Sequence, residues 1–254
     1  MTHTLRIHLL ETRYELLKLM RLPAYAIPTL LFPLVFYLFF GIGMARHQAQ
    51  ATAVATYLIA SYGTFGVIAA SLFGFGVTVA TERGQGWLQV KRTTPMPVSA
   101  YFISKIVMAM TFSTAVVLLL FAAGILLGGV KLTLLQGVLL LTTLVLGTLP
   151  FCAMGLAIGY FAGPNSAAPM VNIIYLPMSF LSGLWIPIWM LPKVLQQVAF
   201  FLPPYHLSQL AAHIIGAGRG GSVLLHVSAL AISTLLFLTL AYVGYRKDEG
   251  KAYG

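Results

Sequence analysis

Apolar residues in this chain neither alternate nor recur as a single stripe. They run on, broken by short polar intervals. Runs near 24–44, 54–80, 101–127, 133–160, 167–184 and 222–245 approach the roughly 20 residues that carry a helix across a bilayer. None of the six contains Asp or Glu. The third and fourth are parted only by "GGVKL", which predicts a tight helical hairpin. The fifth is interrupted by Pro169 and Pro177, which a bilayer helix tolerates where neighbours satisfy the freed carbonyls. Ahead of the first run, Leu9, Leu16 and Met20 recur at helical spacing among Arg6, Arg13, Lys18 and Arg21. That pattern predicts an amphipathic helix over 1–23 lying in the membrane interface, apolar side down; a solvated helical tail is the plainer reading. Residues 185–221 are too polar and proline-rich to span but carry many aromatics, so short re-entrant helices are expected there, with "GAGRGG" as a flexible link. The pattern therefore predicts an all-α, polytopic membrane protein: one transmembrane domain over 1–254 with six spans.

Composition agrees. Only 8% of the 254 residues are charged and 59% are hydrophobic, against about 25% charged in a soluble domain. The formal charge of +10 would hint at nucleic acid in a soluble protein. Here no basic cluster is interleaved with aromatics outside the spans, and the excess of Lys and Arg in cytoplasmic loops explains the charge, so no nucleic-acid partner is expected. With a cytoplasmic N-terminus, eleven of the fifteen Lys and Arg fall inside; Arg46, Lys131, Lys193 and Arg219 fall outside. Both termini and all five acids are then cytoplasmic, and the long 185–221 connection is external. The first run is too long for a signal-peptide core, so a cleaved leader is not expected.

The candidate chemistry is mostly negative. There is no Walker phosphate loop and no HExxH, and the single cysteine, Cys152, lies in an apolar run. His206 and His213 are seven apart and could share a helical face; a polar contact at the membrane boundary accounts for them without a metal. No catalytic residue and no cofactor is expected in this chain. A coupled carrier usually keeps ionisable groups mid-membrane, and none is placed there. An intramembrane lipid-modifying enzyme, the rival of another class, lacks its carboxylates. The interior does hold one charged element. Glu82, the only acid between Glu15 and Asp248, opens the cytoplasmic loop 82–98. Glu82 is expected at the water boundary, where a charge pair with Arg83 stays hydrated. Trp87, Leu88 and Lys91 are expected on one side of a short helix that Pro95 ends.

Two stretches resemble the type-2 permeases of ATP-binding-cassette (ABC) exporters. "ERGQGWLQVKRTTPMPVSAYFISK" resembles their inner loop through Glu82, Arg83, Gly86, Leu88, Thr94, Pro95 and Lys105, with Trp87 where the family usually has a small polar residue. "SFLSGLWIPIWMLPKVLQQVAFFLPPYHLSQL" resembles their outer signature through Ser182, Gly183, Pro187, Pro192 and Pro203. The resemblance covers nearly the whole chain. It implies a coupling helix, with Glu82, Arg83, Gly86, Trp87, Leu88, Lys91, Thr94 and Pro95 meeting a separate ATPase subunit. It further implies two ATPase copies that bind ATP and Mg, a second permease copy, and a bacterial inner membrane. The family's path is commonly lined by spans two and five. In this chain Tyr57, Ser61, Thr64, Ser71 and Thr78 share one predicted face of span two, and Asn172, Tyr175, Ser179 and Ser182 one face of span five. They are the candidate cargo lining; hydrogen bonding within the bundle is the plainer role. The expected cargo is amphipathic, drug-like or lipid-like, with a polysaccharide or glycolipid as the alternative. Gly155, Gly159 and Gly163 form a doubled GxxxG, expected to pack within the subunit rather than between copies.

Overall fold

The computed structural model describes residues 2–44, 51–218 and 221–252. Arg46, His47 and Arg219, and the side chains of His3 and Lys251, lie outside the described residues. Among those described there are helices and no strands. Helix α1 is Thr2–Met20, α2 Pro23–Met44, α3 Ala51–Gly84, α4 Trp87–Arg92, α5 Val98–Gly128 and α6 Leu134–Phe161. Helix α7 is Ala167–Leu181, α8 Lys193–Ala199, α9 Pro203–Ile214 and α10 Val223–Ala252.

Five of these, α2, α3, α5, α6 and α10, are long and apolar enough to cross a membrane. The sixth expected span is shorter than the sequence suggests. Helix α7 has 15 residues, which is about 22 Å of helix against a hydrocarbon layer of about 30 Å. It stops because the chain turns at Ser182 and Gly183, and Gly183 takes φ +75°, the left-handed region that favours glycine. The chain nonetheless runs from one end of the bundle to the other over this stretch. Arg83, at the end of α3, holds the carbonyls of Tyr160 and Ala162, so α7 begins at that end of the bundle. His206 of α9 meets His226 at the start of α10 at the opposite end, so residues 167–206 have traversed the bundle. The Ile188–Met190 turn, α8 and α9 are the expected short helices of the 185–221 connection.

The hairpin between α5 and α6 follows from its sequence. Gly129 closes α5 at φ +63°, and Thr133 opens α6 with a capping box in which Gln136 answers its hydroxyl. Helix α3 is the hub, enclosed on nearly all sides, whereas α10 buries little of its surface. The core runs along α3 through Tyr62, Phe65, Ile68 and Leu72, with Leu120 of α5 and Phe151 of α6 against it. Gly155 and Gly159 let α6 approach α3 closely: a Cβ on Gly76 would stand 2.8 Å from the Gly155 carbonyl oxygen. Gly163 lies beyond the end of α6 and takes no part in that contact.

Helices α2 and α3 depart from regular α geometry, α2 in a π segment over Tyr37–Met44. Helix α3 widens to π geometry over Leu72–Val77, which shifts the register of everything after it. Before that segment, Ser71 bonds back to the Val67 carbonyl with Thr148 of α6 beside it; after it, Thr78 reaches Lys105 of α5. The single polar stripe from Tyr57 to Thr78 does not survive that shift. Helix α1 packs along α5 with Glu15 and Leu19 buried, and leaves Leu9 and Met20 of the expected apolar side exposed, open to a membrane interface.

Candidate functional site

The N-terminal helix, the 82–97 loop and the last helix meet at one end of the bundle. Lys18 of α1 pairs with Glu82 of α3, Lys91 of α4 pairs with Glu11 of α1, and Arg83 pairs with Asp248 of α10 at 3.1 Å. This end is called the charged end below.

Its centre is buried. Glu82 and Glu15 are buried, and Lys105 of α5 is completely buried. The Lys105 ammonium lies 2.7 Å from Glu15 Oε1 and 3.2 Å from Glu82 Oε1, and donates to Thr78 Oγ1 at 3.0 Å. Tyr101 donates its hydroxyl to Glu82 Oε2 at 2.8 Å. Lys18 completes the group, on Glu82 and 3.7 Å from Glu15. Two carboxylates and two ammoniums thus neutralise each other, which a low-dielectric site requires of buried charge. Burial works against the Lys18 ammonium, but the carboxylates of Glu15 and Glu82 outweigh it and raise its pKa above the ordinary lysine value.

The expected hydrated Glu82–Arg83 pair is therefore not formed. Neighbours on a helix point about 100° apart, so the two side chains face different neighbours of α3. Arg83 donates to the carbonyls of Tyr160 at 2.6 Å and Ala162 at 2.7 Å, tying down the end of α6. Lys105, Glu15 and Tyr101 complete the cluster, and only Lys105 among them is legible in the motif. The available signal was a buried-span lysine facing a lone acid, each in need of the other.

Helix α4 hangs from this cluster. Gly86, at φ +77°, makes the sharp step out of α3. Leu88 and Lys91 turn inward: Leu88 packs near Phe102 and Leu156, and the Lys91 ammonium stands 4.7 Å from the Tyr101 ring centroid. Trp87 and Val90 turn outward, each 53% exposed. Trp87 and Lys91 stand one turn apart on the same flank of this six-residue helix, as expected, but only Leu88 and Lys91 reach the bundle while Trp87 stays exposed. The helix ends at Arg92 rather than at Pro95, and Thr93 and Thr94 direct their hydroxyls to the carbonyls of Val90 and Lys91. Thr94 and Pro95 are exposed.

The expected cargo lining falls into two groups. Thr78, Asn172 and Tyr175 line a cavity of about 500 Å³ closed by Tyr25, Phe32 and Phe73. The others lie in the interior. Tyr57 meets the Trp189 ring at 4.7 Å, and Thr64 bonds back to the Ala60 carbonyl. The buried hydroxyls of Ser61, Ser179 and Ser182 have no hydrogen-bond partner among the described residues. Tyr175 is held on both counts, stacked on Phe65 at 4.8 Å and donating to the Phe65 carbonyl at 3.1 Å.

At the opposite end His206 Nδ1 lies 2.9 Å from His226 Nδ1, and His206 Nε2 donates to the Phe200 carbonyl at 2.8 Å. His213, on the same helix, bonds the Gln209 carbonyl, with its ring 5.7 Å from that of His226, so both histidines make polar contacts. Burial lowers the His206 pKa; the Phe200 carbonyl opposes this and His226 adds to it. A histidine kept neutral in the fold is protonated more readily in the unfolded chain, so stability is full above about pH 6.5 and falls as pH drops below it. Thermal unfolding between pH 7.5 and 5.5 should show the decline, and His206→Asn should flatten it.

The chain is similar to known membrane transport proteins along most of its length. Residues 9–215 match the ABC-2 type transporter family. The Bacillus subtilis (strain 168) protein YvfS, which goes by the name of a transport permease, is 25% identical over 236 residues, or 92% of this chain and 95% of that one. A helical bundle with several membrane-crossing helices, whose polar groups gather at one end and which matches that family from α1 through α9, belongs to the ABC-2 type transporter family and is a transport permease subunit.

Proposed function

We propose that the charged end is cytoplasmic and that α4 is the coupling helix through which an ABC ATPase drives export. In this reading two copies of the chain and two ATPase subunits form the working unit in a bacterial inner membrane, and ATP with Mg is bound by the ATPases. The observation that carries it is the mounting of α4. Its outward face, Trp87 and Val90, is unoccupied apolar surface on a charged end. Its inward face is tied through Lys91 and Glu11 to α1, and α1 is tied through Glu15 and Lys18 to Lys105 and Glu82. Force applied at α4 thus reaches α1, α3 and α5 together, because the buried ion pairs resist separation.

The cavity at Thr78, Asn172 and Tyr175 supports an amphipathic, drug-like or lipid-like cargo. Its walls are mostly apolar, with an amide and hydroxyls to orient a polar head. The lever is tested by exchanging charges in proteoliposomes that contain the partner ATPase. Lys91→Glu and Glu11→Lys should each lower cargo moved per ATP hydrolysed, and the double exchange should restore it. A double variant no better than either single would remove the tie from the coupling route.

A further inference from the structure

A second cleft, of about 480 Å³, opens at the charged end between four helices. Its walls are Leu88 of α4, Phe102 of α5, Leu156 of α6 and Leu238 of α10, with the rings of Tyr101 and Tyr242 at its polar side. Val98, Leu238 and Tyr242 are exposed at its mouth, so it opens sideways from the bundle rather than into the core. A volume of this size suits a small ligand or one flexible hydrocarbon chain.

The rim is cationic. Lys91 lines the cleft but shares its charge with Glu11. Arg246 is exposed and stands 6.0 Å from the Tyr242 ring centroid. The nearby Asp248 carboxylate is engaged by Arg83. Among the described residues, Arg246 therefore stands beside the cleft, over its lining residue Tyr242, with no carboxylate paired to it. Tyrosines and a cation above an apolar slot, at the end of membrane-crossing helices, match a lipid with a negative head group.

We propose that this cleft binds an anionic phospholipid from the leaflet at the charged end, with an acyl chain among Leu88, Phe102, Leu156 and Leu238 and the phosphate at Arg246. The bound lipid fills the space between α4 and α10 and holds the inward face of α4 in place. The site depends on neither the cargo nor the ATPase, so it stands or falls separately from the transport reading.

Native mass spectrometry of the purified full chain in detergent, with phosphatidylglycerol or phosphatidylcholine added, tests it. The wild type should retain phosphatidylglycerol in preference. Arg246→Ala should weaken that retention about five-fold, the value of one basic side chain near an anionic surface, and leave phosphatidylcholine unchanged. Arg246→Lys should keep the preference, and Leu238→Trp, which fills the slot, should reduce phosphatidylglycerol retention. Equal retention of the two lipids by the wild type, or an unchanged preference in Arg246→Ala, would overturn the proposal. Displacement of the retained lipid by a transported cargo would overturn it as well, since the cleft would then be a cargo site.

Discussion

Replacing Lys105 by Met should lower the stability of the folded bundle by about 3–5 kcal/mol, the largest effect expected of any single substitution at the charged end. Lys105 is wholly buried and neutralises Glu15 and Glu82 together. Methionine keeps most of its length without the charge, so lost packing contributes little. What remains is two buried carboxylates sharing Lys18, which is 45% exposed and lies 3.7 Å from Glu15. Thermal unfolding in detergent reads the loss. Glu15→Gln in the Lys105→Met background should recover part of it, because the charge stranded by the first change is then removed. Additive losses would mean that the two side chains do not act on each other. Glu82→Gln alone should be milder, since Lys105 keeps Glu15 and a glutamine can still accept from Tyr101. A Lys105→Met protein that melts with the wild type would show that the cluster is hydrated enough to do without its centre.

Where the sequence is informative, composition alone decides the outcome. Helices α5 and α6 were legible because long apolar runs have no other stable form in a bilayer, and the glycines and Thr133 mark the turn between them. The short α7 was not legible: the apolar run continues to Leu184, while the backbone leaves the helix at Ser182 and Gly183. Thr78 was assigned to the face of Ser71 by a spacing of seven, and the π segment between them is invisible to any count based on regular helix. The burial of Glu82 was missed for a different reason. Its neighbours in sequence describe a helix end in water; its neighbours in space are α1 and α5, which arrive from 64 and 23 residues away. The apolar spacing of α1 marks the side that stays exposed, Leu9 and Met20, but not the opposite contact with α5 through Glu15 and Leu19, which depends on a lysine 90 residues away.

Trp87→Ala with Val90→Ala should separate the partner ATPase from the permease without unfolding it. Both side chains are more than half exposed and share the outer face of α4, so their removal leaves no cavity in the bundle. A tryptophan at the centre of an interface typically contributes about 2 kcal/mol or more, so affinity for the ATPase should drop at least about thirty-fold. The competing role for Trp87 is a headgroup anchor, and the choice of medium separates the two. Measured in detergent, with no bilayer to anchor to, a contact residue still weakens ATPase binding when removed and an anchor does not. The variant should also keep the melting temperature of the wild type, because Lys91, Leu88 and the Glu82–Lys105 cluster hold α4 from the other side. Unchanged affinity in detergent would leave Trp87 to the lipid and move the ATPase contact to another exposed part of the 82–98 loop, such as Gln89 or the 93–95 segment.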